Sequence, residues 1–403
     1  MANTVNTVKD GPGLFAKGVA ERLRDNLKFC AFVEKADESD FDGKNNFKAG
    51  DTIYTSIPAR KKAQRDNLDI TSKDKDSVEQ KAPLVLNKTA TDADEFDSLE
   101  LATDVDVRNA LKRFGMPAAD TLAHDIESRC MQIAADASFG VVGTPGSNAF
   151  TTADILDAKV ALDEELCPMT DRALFMNSRS GAKAVDARKN YLHPDAIGDQ
   201  YRDGVIGRAD GFDWDETQIM PTHANSADVT GGAINDASVS EGASSITVDG
   251  LSVAPTQGTV FTIAGVFKVH PITKTVSSEL QQFVVGSGAT TTNIPISPSL
   301  YAASEGLQNV SALPADDAAL VFVGAASTAY TQNLALHKSA FKMVTVPMYQ
   351  PRGVDLVASE TVDGITVNIV RDYIQGTRKV ITRYDVLYGF DPVRPEWSKR
   401  ITA

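Results

Sequence analysis

Five histidines, three cysteines and two runs of carboxylates are the groups with which this chain could run a reaction. Asp92, Asp94, Glu95 and Asp97 form one run and Asp210, Asp213, Asp215 and Glu216 the other, and hard divalent cations take such oxygen ligands. Neither run has EF-hand spacing, so both read as solvated or interfacial charge. His124, His193, His223, His270 and His337 include no pair at helical ligand spacing, which removes the usual zinc arrangement. Ser178 and Ser180 in NSRSG lack the glycine that a nucleophile elbow needs before its serine. The stretch from Gly286 to Thr292 has glycines but no following lysine to hold a phosphate. Cys30, Cys130 and Cys167 are odd in number and lack metal-type spacing, so they read as reduced, mostly buried thiols. The expectation is a protein without catalysis, cofactor or metal.

The elements that would position these groups belong to an ordinary globular chain. Its 403 residues, 42% hydrophobic and 23% charged, suffice for two or three domains. A formal charge of −14 argues against general affinity for nucleic acid, because binding a polyphosphate needs lysines and arginines that release counterions. The longest apolar run, Ala318 to Ala326, is too short to cross a bilayer as a helix, and the N-terminal residues lack a signal-peptide pattern. The reading is a protein made in the cytoplasm, with no membrane partner.

Charge density divides the chain. Residues 223–331 carry only ten Asp, Glu, Lys or Arg residues, whereas the remaining 294 carry 84. This segment is rich in Thr, Ser, Val and Gly, and its runs SSITVD, TVFTIAG, VFKVHPITK, LQQFVV, TTNIPIS and ALVFVG predict six strands in a small barrel or sandwich. Upstream, Phe15, Val19, Leu23 and Leu27 recur every four residues in a helix over 13–29. That stripe either packs on its own subunit or, if Phe15 and Leu23 are exposed, binds a partner through Phe15, Val19, Arg22 and Leu23. Residues 40–88 predict a long two-stranded excursion with a basic tip at Arg60, Lys61, Lys62 and Arg65. Further helices are predicted over 104–114, 118–139 (Leu122, Ile126, Cys130, Ile133 and Ala137 inward), 152–166 and 178–189, with a buried strand at ALFMN. The strands KMVTVPM, GITVNIV and KVITRYDVLYGF follow the low-charge segment, so its flanks should make one α+β domain, interrupted in sequence.

Four collinear segments resemble one family. The tail from YTQNLALHKSAFKMVTVPMYQPRGVD to RYDVLYGFDPVRPEWSKRI, the run QYRDGVIGRADGFD at 200–213, the strand start Asp51-Thr52-Ile53 and the helix from Phe114 to Ile126 are similar to the major capsid (coat) proteins of tailed bacteriophages. The branch they resemble is typified by Salmonella podoviruses, in which a β-barrel is inserted into the Hong Kong 97-type capsid fold. The resemblance implies an N-terminal arm (1–40), an extended loop (41–90), a peripheral domain with a long spine helix (91–145), an axial domain (146–222 with 332–403, including part of the peripheral domain) and an inserted β-barrel (223–331). It also implies self-assembly into pentamers and hexamers of an icosahedral head, a procapsid built with scaffolding protein and a portal, and packaged double-stranded DNA that is held weakly. Inter-subunit contacts are expected between Arg60, Lys61, Lys62 and Arg65 and the acids Asp92, Asp94, Glu95 and Asp97. A departure from the branch is the acidic start of the insert: Asp228, Asp236 and Glu241 have no neighbouring base, and no Lys or Arg occurs over 209–267. A contact of that loop with its own symmetry mate would repel. Two other classes share features with the chain, a non-viral encapsulin-like compartment shell and a β-rich tail or surface binding protein.

Overall fold

The computed structural model describes residues 11–35, 52–58, 79–97, 111–147, 150–188, 207–227, 231–303, 306–377 and 379–402. It divides into two compact units, one made of Met1–Tyr54, Pro83–Cys130 and Lys342–Asp391, the other of Thr55–Ala82, Met131–Phe341 and Pro392–Ala403. Residues 342–391 group with the N-terminal arm in the first of these units. The predicted 104–114 helix lies outside the described residues except for a π-helical turn at Leu111–Gly115.

In the first unit, helix α1 (Gly11–Asn26) turns its four-residue stripe inward: Val19, Leu23 and Leu27 are buried against strands Leu356–Val362 and Ile365–Ile374. A short helix α2 (Phe29–Phe32) follows, and its Phe29 amide donates to Glu127 Oε1 at 2.7 Å. Glu127 belongs to α3 (Met116–Ala137), whose Leu122, Ile126 and Cys130 face inward as predicted while Ile133 and Ala137 are only half-buried and Met131, Ala134 and Ala135 are buried in their place, with Pro117 in the first turn where its missing donor is harmless. The sheet beneath runs in the order Glu34–Lys35, Phe341–Val346, Lys379–Pro392, Ile365–Ile374, Leu356–Val362. Strand Lys88–Asp97 also pairs antiparallel with Lys379–Pro392. Strands Thr52–Ile57 and Gln80–Val85 pair as the two arms of the excursion, and Ile53, Leu84 and Leu86 cluster with Val344 and Val346.

The second unit is built on a mixed sheet ordered Gly140–Val142, Ser398–Ile401, Asn333–His337, Arg172–Met176, Phe212–Glu216, Arg208–Ala209. Segments from before and after the low-charge insert therefore lie side by side, as Leu334 faces Phe175 and Leu336 faces Ala173. Helix α4 (Thr152–Glu164) packs on strand Ser398–Ile401. Its N-cap is Thr151, which accepts from the Asp154 amide while the Asp154 carboxylate accepts from the Thr151 amide. Its Ile155, Ala158 and Leu162 are buried, but Leu156 and Val160 face solvent. Helix α5 (Ser178–Arg188) begins where the Asn177 side chain accepts from the Arg179 and Ser180 amides.

The insert leaves and returns through a two-stranded stem, Thr222–Ala224 against Ala329–Thr331. Beyond it the strands run Ala233–Ile234, Ala243–Asp249, Asn293–Leu300, Val276–Val285, Val260–Val269, Leu320–Phe322. The two ends of that path meet, with Ile234 N donating to Ala318 O at 3.0 Å and Leu320 N to Gly232 O at 2.9 Å. Closure removes the free edges that an open sheet would expose. Alternation puts Ile246, Val248, Phe261, Ile263, Phe283, Val285 and Ile294 inside, with Phe261 and Phe283 rings 6.0 Å apart. Two predicted strands, TVFTIAG and VFKVHPITK, are one strand carrying a register shift around Gly265, whose φ of +80° suits glycine. The two-residue strand Ala233–Ile234 was too short to show a period. Because Phe283 sits at the centre of this core, Phe283→Ala should cost about 3–5 kcal/mol in stability, read as a fall in denaturation midpoint.

Candidate assembly surfaces

The α1 stripe is used inside the subunit. Leu23 and Val19 are fully buried, and Phe15 is half-buried with its ring 6.3 Å from Tyr384, so the exposure that would favour a partner-binding stripe is not met. Arg22 is on the solvent side, paired with Asp120 at 2.7 Å. The basic tip residues Arg60, Lys61, Lys62 and Arg65 lie outside the described residues. Their expected acidic counterparts are on strand Lys88–Asp97. Glu95 pairs with Lys379 of its own chain, and burial holds the Asp94 carboxyl above the usual range although nearby Tyr384 acts to lower it. Asp92 is half-buried, and the Asp97 side chain lies outside the described residues. From the second acidic run, Asp213 meets Arg208 at 3.8 Å. Among the described residues, no three His, Cys, Asp or Glu side chains gather as metal ligands.

A surface not anticipated from the sequence is the seat of the insert on its own unit. Val260 and Val284 pack on Phe139, with Val141 and Val323 beside them. Gln282 grips the backbone of Val141 twice, its Oε1 accepting from the amide at 2.7 Å and its Nε2 donating to the carbonyl at 3.0 Å. Lys268 reaches Glu164 at 2.9 Å and Glu165 at 3.1 Å. Burial opposes its charge, but Glu165 and Glu164 outweigh burial and raise the ammonium above its ordinary pKa. Lys268 is one of only two bases in the insert, the other being Lys274, and that scarcity was the available signal.

Two more bases lie behind the seat, on the C-terminal strand. Lys399 is fully enclosed with Nζ 4.9 Å from the centre of the Phe139 ring, and burial lowers its pKa while Glu165 acts to raise it. Arg400 is pushed down to about 10 by burial, against the influence of Asp136. At the stem, His223 Nε2 lies 3.1 Å from Thr259 Oγ1. His337 stacks edge-on against Trp397, 5.2 Å away, and accepts from the Ser339 amide. Both are buried structural groups, as are the thiols of Cys30, Cys130 and Cys167. His124 is exposed, and His193 lies outside the described residues. A cavity of about 160 Å³ borders the seat, lined by Phe139, Glu165, Gln281, Pro298, Leu307 and Glu396. The arrangement joins modules and presents surfaces.

A family model described as P22 coat protein, gene protein 5, matches residues 15–398. No curated protein sequence matches the chain. Among solved structures, the chain is similar to that titled Mycobacterium phage Che8 at 12% identity, covering 93% of this chain and 90% of that one with a TM-score of 0.47. It is similar to the capsid of the cyanophage P-SCSP1u at 11% identity, over 92% and 89% of the two chains, with a TM-score of 0.46. The CUS-3 coat protein I-domain is 31% identical over 23% of this chain and 93% of its own, with a TM-score of 0.18.

The stem histidine gives the seat a pH signature. Burial first, then nearby Arg400, push His223 from 6.5 down to about 4. The unfolded chain therefore takes up the proton first: the stability held by neutral His223 is complete above pH 6.5 and drains as pH falls toward about 4. At about 1.4 kcal/mol per pKa unit this amounts to about 3 kcal/mol. Denaturant titrations should show the parent losing stability more steeply than His223→Gln over that window, and parallel curves would contradict the burial argument.

Proposed function

The chain belongs to the P22 coat protein family and is a major capsid protein of a tailed bacteriophage, and we propose that its surfaces divide the work of building the icosahedral shell between the excursion, the core and the insert. The observation that carries this reading is a family match from residue 15 to residue 398, which takes in the helical arm, both compact units and the whole insert. The subunit is a structural component of the virion. A precursor shell assembled in the host cytoplasm around scaffolding protein, with a portal at one vertex, is the order of events we propose.

The paired strands Thr52–Ile57 and Gln80–Val85 lead toward a tip that reaches the neighbouring subunit. Because Glu95 already pairs with Lys379 in its own chain, Asp92, Asp94 and Asp97 are the acids we assign to the incoming bases. Heterologous contacts of this kind close into rings and shells. The charge of −14 keeps the inner wall weakly repulsive to packaged DNA, which suits a genome that must slide as it is spooled.

Single exposed ion pairs contribute only about 0–1 kcal/mol each, but a shell repeats them at every subunit. Reversing Lys61 and Lys62 to Glu should leave a folded subunit that closes shells poorly, with the defect milder at high salt. Particle yield on sucrose gradients measures this, and normal yield at low salt would refute the role of the tip.

A further inference from the structure

Helix α4 is amphipathic on both sides. Ile155, Ala158 and Leu162 fill the core, yet Leu156 and Val160, four residues apart on the opposite face, are 43% and 54% exposed. One turn further, Glu164 holds Lys268 of the insert, and the two share a surface recess with Val276, itself 58% exposed. The ion pair thus splices an apolar ridge on the helix to an apolar tip on the barrel hairpin. Water-facing aliphatics at this spacing do nothing for the helix itself, and contiguous apolar patches mark contact sites.

The same unit carries a surface of opposite character. Where α5 begins, a groove of about 310 Å³ is lined by Arg179, Lys183, Ala329 and Tyr330. Asp157 is exposed beside the ridge and Arg179 is exposed beside the groove. A subunit in a ring of identical copies meets its neighbours through two different patches that must fit each other. An apolar ridge with an acid at its flank and a groove with bases at its rim satisfy that requirement within one chain.

We propose that the Leu156–Val160 ridge of one subunit docks into the Arg179–Ala329 groove of the next copy in the same ring, with Asp157 meeting Arg179 across the contact. The inference rests on self-association of the chain and adds the surfaces by which it occurs.

The test is intersubunit cross-linking in assembled particles of the full chain carrying Val160→Cys and Ala329→Cys, oxidised by dioxygen with copper phenanthroline. The three native cysteines are buried, so the single variants are clean controls. The expected result is a ladder of covalently joined chains on non-reducing gels from particles, absent from dissociated subunits and from either single variant. Normal particles that give no ladder would overturn the surface while leaving shell formation intact. Asp157→Arg and Arg179→Glu supply an independent arm: each alone should slow assembly at least several-fold, and the two together should restore it. A double variant no better than the singles would overturn the proposal.

Discussion

A chain that leaves a sheet and must return to it depends on the joint where its ends meet. Here that joint is the stem, where Thr222–Ala224 and Ala329–Thr331 pair over three residues and Gln332 N donates to Pro221 O at 2.9 Å. Bringing together the ends of so long a loop costs entropy that grows slowly with loop length, and a folded insert removes most of it. Once the stem is closed, Asn333–His337 falls into register with Arg172–Met176 and with Ser398–Ile401. The sheet that carries α4 and α5 is thus a consequence of the joint.

Electrostatics explains how an insert with so few charged residues is held on so charged a chain. The contact is made largely by apolar side chains and by one amide that satisfies both backbone groups of a single residue, Gln282 on Val141. Such contacts carry no charge to desolvate. The ionic contact of Lys268 with Glu164 and Glu165 gains from two carboxylates what it loses on burial. The C-terminal strand shows the reverse balance, since Lys399 and Arg400 are both depressed by burial. Stabilisation there comes from backbone pairing on both sides of Ser398–Ile401.

Much of this was legible in the sequence because the signals are local. The four-residue stripe of α1, that of α3 as far as Cys130, the ALFMN strand and the drop in charge over 223–331 all follow from neighbouring residues. What was not legible is relational. Nothing near Leu156 or Val160 distinguishes an outward aliphatic from the inward Ile155 and Leu162. Strand Leu356–Val362 was missed because its half-buried, polar-rich pattern exists only through pairing with Ile365–Ile374. The grouping of 342–391 with the arm arises from contacts between segments hundreds of residues apart, which no window of sequence contains. Of the candidate contacts, the stripe of α1 serves the subunit's own core and Glu95 of Lys88–Asp97 is committed to Lys379.

The central claim is that each subunit seats its own insert through the stem and then builds a closed shell from identical copies. An electron cryomicroscopy reconstruction of the assembled full chain tests it directly. The account predicts closed icosahedral particles in which continuous density joins every barrel to the core of its own subunit, with Lys268 beside Glu164 of the same chain. A barrel seated on the core of a neighbouring subunit, or assembly into open sheets alone, would contradict it.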